Sequence, residues 1–123
     1  MVRDNTRAIG AAAEDQACRY LITRGLRPVE RNFQCRHGEI DLVMLDEDCL
    51  VFVEVRYRGA RRISPASLTV DTRKQRKLIR TAAMYLAYRS RFADCKVRFD
   101  VAAIDGESMQ WLRDAFRPAD ASL

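Results

Sequence analysis

The chain has 123 residues, of which 48% are hydrophobic and 32% charged, with a formal net charge of +5. That length suits one domain around one core, with the core expected over about 6–117 and a short frayed tail after Pro118. The composition excludes a disordered chain, and the lack of any apolar run of ~18 residues excludes a membrane-spanning helix. Met1-Val2-Arg3-Asp4-Asn5 has no apolar segment of signal-peptide type, so a cytoplasmic location is expected. Cys18, Cys35, Cys49 and Cys95 are scattered and His37 stands alone, which offers no clustered zinc ligands. In a reducing compartment the cysteines are expected as small apolar groups rather than disulfides.

In chain order, Thr6 to Arg24 reads as a helix, with Asn5 or Thr6 as cap and Gly25 just past its end. Ile9, Ala13, Ala17, Tyr20 and Leu21 form its apolar stripe. Leu26 to Arg36 reads as an irregular strand, followed by a turn at His37-Gly38. Glu39 to Leu45 and Leu50 to Tyr57 are the next two strands, the last rich in β-branched and aromatic residues. Gly59 to Val70 reads as a loop. Asp71 or Thr72 can cap a second helix that runs to about Arg89, with an apolar stripe of Ile79, Ala82, Ala83 and Leu86. Val97 to Ile104, a turn at Asp105-Gly106, and Met109 to Phe116 complete a mixed α/β order.

The sharpest chemical feature lies in the second and third strands. A two-residue turn at Glu47-Asp48 pairs Asp46 with Cys49, and counting outward sets Asp41 opposite Glu54. Two carboxylates so placed repel, and a hard divalent cation with oxygen ligands would compensate. A one-residue slip would put them on opposite faces. The competing reading pairs Glu54 with Arg56 or Arg58 on a solvated face. Glu14, at the border of the first helix's stripe, is a third candidate acid or an ordinary boundary residue. Glu39 and Asp46-Glu47-Asp48 read as solvated.

Charge is strongly segregated. Glu39 to Glu54 holds six acids and no base, whereas Arg56 to Arg91 holds eleven bases and one acid, a net +10. On the second helix Arg73, Arg76, Lys77 and Arg80 form a basic stripe, with Lys74 at its edge and Arg58, Arg61 and Arg62 in the preceding segment. Such a row can neutralise successive phosphates, so a nucleic-acid partner, DNA first, is expected. With no base-reading motif, recognition should be of backbone and shape. The alternatives are a solvated face, an anionic membrane surface, or a docking face for an acidic protein. The exposed face lacks the large apolar residues that membrane insertion needs.

Several blocks also resemble the YraN family of predicted bacterial endonucleases. They are Gly10-Ala11-Ala12-Ala13-Glu14, Glu30-Arg31-Asn32-Phe33, Gly38-Glu39-Ile40-Asp41-Leu42-Val43 and Val51-Phe52-Val53-Glu54-Val55-Arg56-Tyr57-Arg58. Lys74 within Arg73-Lys74-Gln75-Arg76-Lys77-Leu78 and Arg98-Phe99-Asp100-Val101 fit as well. That family is similar to archaeal Holliday-junction resolvases and to the PD-(D/E)XK nuclease superfamily. The resemblance implies a restriction-endonuclease-like fold, a mixed central sheet flanked by helices. It implies a metal site of Glu14, Asp41 and Glu54 holding Mg²⁺ or Mn²⁺, and by analogy a homodimer. It puts Arg56 where the superfamily has a catalytic lysine, and arginine cannot act as a general base. The implied activity is metal-assisted phosphodiester hydrolysis, with a non-catalytic nucleic-acid-binding module or a protein-docking domain as alternatives.

Overall fold

The computed structural model describes residues 2–58, 65–106 and 108–118. Helix α1 spans Val2–Thr23. It ends in a paired cap at Gly25, whose φ is +97°. The Gly25 N–H donates to the Ile22 carbonyl and the Leu26 N–H to the Leu21 carbonyl, at 3.0 and 3.1 Å. Leu21 and Leu26 bury their side chains in the same cluster, so the cap aims the chain from helix into sheet. Ala13, Ala17 and Leu21 are buried as the stripe implied, but Ile9 is 45% exposed.

Strands β1 (Arg27–Cys35), β2 (Gly38–Asp46), β3 (Cys49–Tyr57), β4 (Lys96–Asp105) and β5 (Ser108–Phe116) form one sheet in the order β1-β2-β3-β4-β5. All neighbours are antiparallel except β3 and β4. The parallel pair needs a long crossover, and α2 (Thr72–Tyr88) supplies it. The Asp71 carboxylate caps α2 by accepting from the Lys74 N–H at 2.8 Å. A 3-10 turn at Pro65–Leu68 precedes α2; Arg61 and Arg62, named above as phosphate contacts, lie outside the described residues. The turns fall one residue from expectation. Cys35 pairs with Gly38, so Arg36-His37 makes the first connection, and Asp105 is already paired with Ser108.

The sheet has one helix on each face, the expected restriction-endonuclease-like arrangement. Leu42, Met44, Val51 and Val53 pack with α1, and Phe33, Val43, Phe52 and Phe99 with α2. The α2 stripe corrects the sequence reading. Leu78, Thr81, Ala82 and Tyr85 are the buried positions, while Ile79, Ala83 and Leu86 are only half-buried. Tyr85, which the composition of the stripe did not flag, supplies the central ring, edge-on to Phe33 and Phe52 at 5.1 and 5.6 Å. Gly38 lets α2 sit this close to the β1–β2 hairpin: a Cβ there would come within 3.2 Å of the Thr81 hydroxyl.

At one end of β4 a buried polar network ties the sheet together. Asp100, with no exposed side-chain surface, accepts two hydrogen bonds from Arg98 at 2.9 and 3.0 Å. It also accepts from the Trp111 indole and the Asp114 N–H, each at 2.9 Å. Arg98 then reaches Asp46 at 3.0 Å. Asp100 sits where the β4–β5 register slips, between Phe99 and Val101, so the carboxylate satisfies the N–H that the irregular ladder frees.

Candidate metal centre and basic face

The β2–β3 ladder confirms the counted register from Asp46↔Cys49 to Leu42↔Val53 and stops there, one pair short of Asp41 and Glu54. Beyond that point β2 stays with β1 as far as Gly38, and β3 stays with β4 as far as Tyr57. The two central strands therefore fork. Asp41 stands in the fork, and its carboxylate accepts the Val55 N–H at 2.9 Å in place of a ladder bond.

The alternation of faces also breaks at this point. Leu42 packs with α1, so strict alternation would put Ile40 there too. Ile40 instead joins Phe33 in the α2 cluster. On β1, Asn32 takes φ +55° at the matching position. It separates Arg31, which reaches α1, from Phe33, which does not. This reversal brings Glu39 and Asp41 toward α1. Oxygens of Glu14, Glu39 and Asp41 lie within 4.8 Å of one another. Glu39 is exposed, as its solvated reading expected, and yet its carboxylate lies in this group, which the sequence reading did not include.

Burial pushes the Asp41 carboxyl up to about 7. The Val55 N–H opposes that rise, and the negative charges of Glu54, Glu14 and Glu39 add to it. The donor set suits a hard cation. It consists only of carboxylate oxygens, and two ligands on opposite sides of a Mg²⁺ ion sit about 4.2 Å apart at ~2.1 Å each. Arg31 flanks the cluster, pairing with Glu14 at 3.7 Å and with Asp15.

Glu54 does not join that oxygen cluster. Its carboxylate takes the Lys74 ammonium at 3.4 Å and lies 4.0 Å from the Arg56 guanidinium. Lys74 reaches it because of the corrected stripe. Four residues before Leu78, it lies on the docked side of α2, not on the outer one. Through another nitrogen Arg56 also donates to the backbone carbonyls of Ser67, at 3.2 Å, and of Thr69. It fastens the segment before α2 to β3. Arg58 is half-buried at the end of β3, its Nε enclosed without a hydrogen-bond partner among the described residues. Arg73, Arg76, Lys77 and Arg80 are all exposed on α2. None makes an ion pair among the described residues.

A hollow of about 550 Å³ lies at the opposite end of β3, around Cys49, Lys96 and Arg98. It is far from the fork, and its two arginines are already held, Arg98 by Asp100 and Arg117 by Asp114.

Residues 13–104, the stretch carrying the fork acids and the basic row of α2, match the uncharacterised protein family UPF0102. The chain belongs to UPF0102. It is 46% identical over 121 residues to a UPF0102 protein of Pseudomonas fluorescens, covering 94% of this chain and 98% of that one. It is 51% identical over 115 residues to one of Ralstonia pickettii, with 90% and 91% covered. To one of Cupriavidus metallidurans it is 49% identical over 108 residues, with 87% and 79% covered. The family expected from the motif blocks is the one found, and among the described residues of this UPF0102 chain no helix is long and apolar enough to cross a membrane.

Proposed function

We propose that this UPF0102 protein is a metal-dependent endonuclease that hydrolyses phosphodiester bonds in branched or otherwise structured DNA, as a member of the PD-(D/E)XK superfamily. The observation that carries the reading is the strand fork. It gathers Glu14, Glu39 and Asp41, with Glu54 close enough for its charge to act on Asp41 and itself paired with Lys74 of α2, the helix whose exposed side carries Arg73, Arg76, Lys77 and Arg80 without ion pairs among the described residues. Carboxylates alone would repel a phosphate, so the arrangement makes sense when a cation sits among them and bases guide the backbone in.

Glu14, Glu39 and Asp41 would hold Mg²⁺ or Mn²⁺, with Glu54 bordering the site. When bound, the ion polarises the scissile phosphate and makes water a better nucleophile near neutral pH. The chain's own groups do the rest. Arg73, Arg76, Lys77 and Arg80 bind successive phosphates. Lys74 replaces Arg56 as the cation facing the reacting group, because Arg56 is occupied by two backbone carbonyls. Its ammonium stabilises charge that develops on the phosphoryl oxygens. Glu54 keeps that ammonium in place. The four cysteines are free, which suits a protein working in the reducing cytoplasm. A two-fold junction would call for a homodimer.

The test is cleavage of four-way, flapped and single-stranded DNA by purified protein with Mg²⁺ or Mn²⁺, wild type against Asp41→Ala. Cleavage by wild type alone supports the reading; equal background from both ends it. A second reading is favoured by the tethered Arg56: a module that keeps the fold and binds nucleic acid without cutting. Binding that salt weakens, that divalent ions leave unchanged, and that no cleavage accompanies would select it.

A further inference from the structure

The basic row of α2 does not stop at Arg80. Residues 73, 77, 80, 84 and 88 follow one another at helical spacing, so Met84 and Tyr88 extend the stripe begun by Arg73, Lys77 and Arg80. Tyr88 is 59% exposed, the most exposed large apolar side chain among the described residues. It stands between two hollows. One, of about 400 Å³, is lined by Gln34, Cys35, Arg36, Met84 and Tyr88. The other, of about 420 Å³, is lined by Tyr88, Arg89, Ser90 and Arg91. Both are shallow and open to solvent, so the Tyr88 ring stands up between them.

We infer that Tyr88 is a stacking platform for an unpaired nucleobase, at the end of the basic row of α2 opposite to Lys74 and its partner Glu54. The inference rests on the nucleic-acid reading above and adds the kind of strand bound. Three observations support it. The ring is held in place from behind, its edge against Phe33 at 6.1 Å and 61°, so its free face need not be ordered on binding. Arg36 and Arg91 border the two hollows, are exposed and make no ion pair among the described residues. Arg89, by contrast, is held by Glu30 through two hydrogen bonds, at 2.8 and 3.0 Å, and belongs to the scaffold. An exposed aromatic face with guanidinium groups beside it, Arg91 lying over the Phe92 ring at 4.6 Å and Arg36 exposed, is the chemistry that binds single strands without reading sequence. A duplex keeps its bases stacked and offers no such face to Tyr88. From Lys74 to Tyr88 the helix runs about 21 Å at ~1.5 Å per residue. That length exceeds a single nucleotide, so the base that stacks is separated from the phosphate at Lys74 by further nucleotides and lies where a flap or branch leaves the duplex.

The test is fluorescence anisotropy with a labelled single strand of mixed sequence and the matching duplex, in EDTA, at ~50 mM salt and above. Tyr88→Ala should weaken single-strand binding about 5- to 150-fold, the range for losing one stacked base, and duplex binding by less than about twofold. Tyr88→Phe should bind like wild type. The platform is refuted if Tyr88→Ala leaves single-strand affinity unchanged, or if it weakens both probes equally. In either case wild-type binding that falls with salt leaves the nucleic-acid reading standing. If wild type binds neither probe, both inferences fall together.

Discussion

Asp41 costs the folded protein stability at neutral pH, and that cost can be measured. The side chain accepts one hydrogen bond from Val55, but three other carboxylates surround it and its carboxyl rises from the ordinary 3.8 to about 7. Between those values the folded chain keeps a proton that the unfolded chain has lost. Stability therefore falls as pH rises through that window, and the loss is complete above about 7. At about 1.4 kcal/mol per tenfold change in proton affinity, the ceiling is roughly 4 kcal/mol. Water reaching a half-buried group should reduce it to about 2–3 kcal/mol. A domain of this size is held by roughly 6–18 kcal/mol, so the effect is large.

Asp41→Asn keeps the shape and can still accept the Val55 N–H, but carries no charge at any pH. In EDTA it should match wild type near pH 4 and exceed it by about 2–3 kcal/mol at pH 8. Urea unfolding followed through Trp111, the single tryptophan, reads both values. Adding Mg²⁺ at pH 8 should raise wild-type stability and leave Asp41→Asn nearly unmoved, because ions that bind only the folded chain stabilise it. A variant less stable than wild type at pH 8, or a difference that does not change with pH, would refute the reasoning.

Asp100→Asn should cost about 3–5 kcal/mol in the same assay, since it leaves the Arg98 guanidinium without its two-point partner in a buried setting; a loss under 1 kcal/mol would show that Asp46 suffices. Lys74→Met should slow metal-dependent cleavage of branched DNA by about 10²–10³-fold, as loss of one charge-stabilising donor does, while Lys74→Arg recovers part of it. Equal rates for wild type and Lys74→Met would remove Lys74 from the chemistry. Arg80→Ala should lower the slope of log affinity against log salt on duplex DNA by about 0.9, one phosphate contact. An unchanged slope would mean that the outer face of α2 does not touch the backbone.

Most of the fold was legible because local patterns and tertiary packing agree through most of the chain. Gly25, the Asp46↔Cys49 turn and the Asp71 cap each act through neighbours in sequence, and periodicity finds such features directly. The errors share one physical origin, which is that rotation about a strand or helix axis is set by what packs from elsewhere. On α2, Ile79 and Leu86 look like core by composition. Yet Phe33 and Phe52 from the sheet select Tyr85, and the helix turns by about one position to meet them. That small rotation carries Lys74 inward to Glu54. In β2, Glu39 and Asp41 reach Glu14 only because the faces reverse there. The reversal coincides with the positive φ of Asn32, between the partners of Leu42 and Ile40 in the neighbouring strand, and no pattern within β2 encodes it. The carboxylate fork and the Lys74–Glu54 pair are thus built by the two places where the regular repeats of strand and helix fail as guides. Residue types alone could propose Asp41 and Glu54 as a pair. Which acid completes the cluster, and which base faces it, are decided by packing between distant elements.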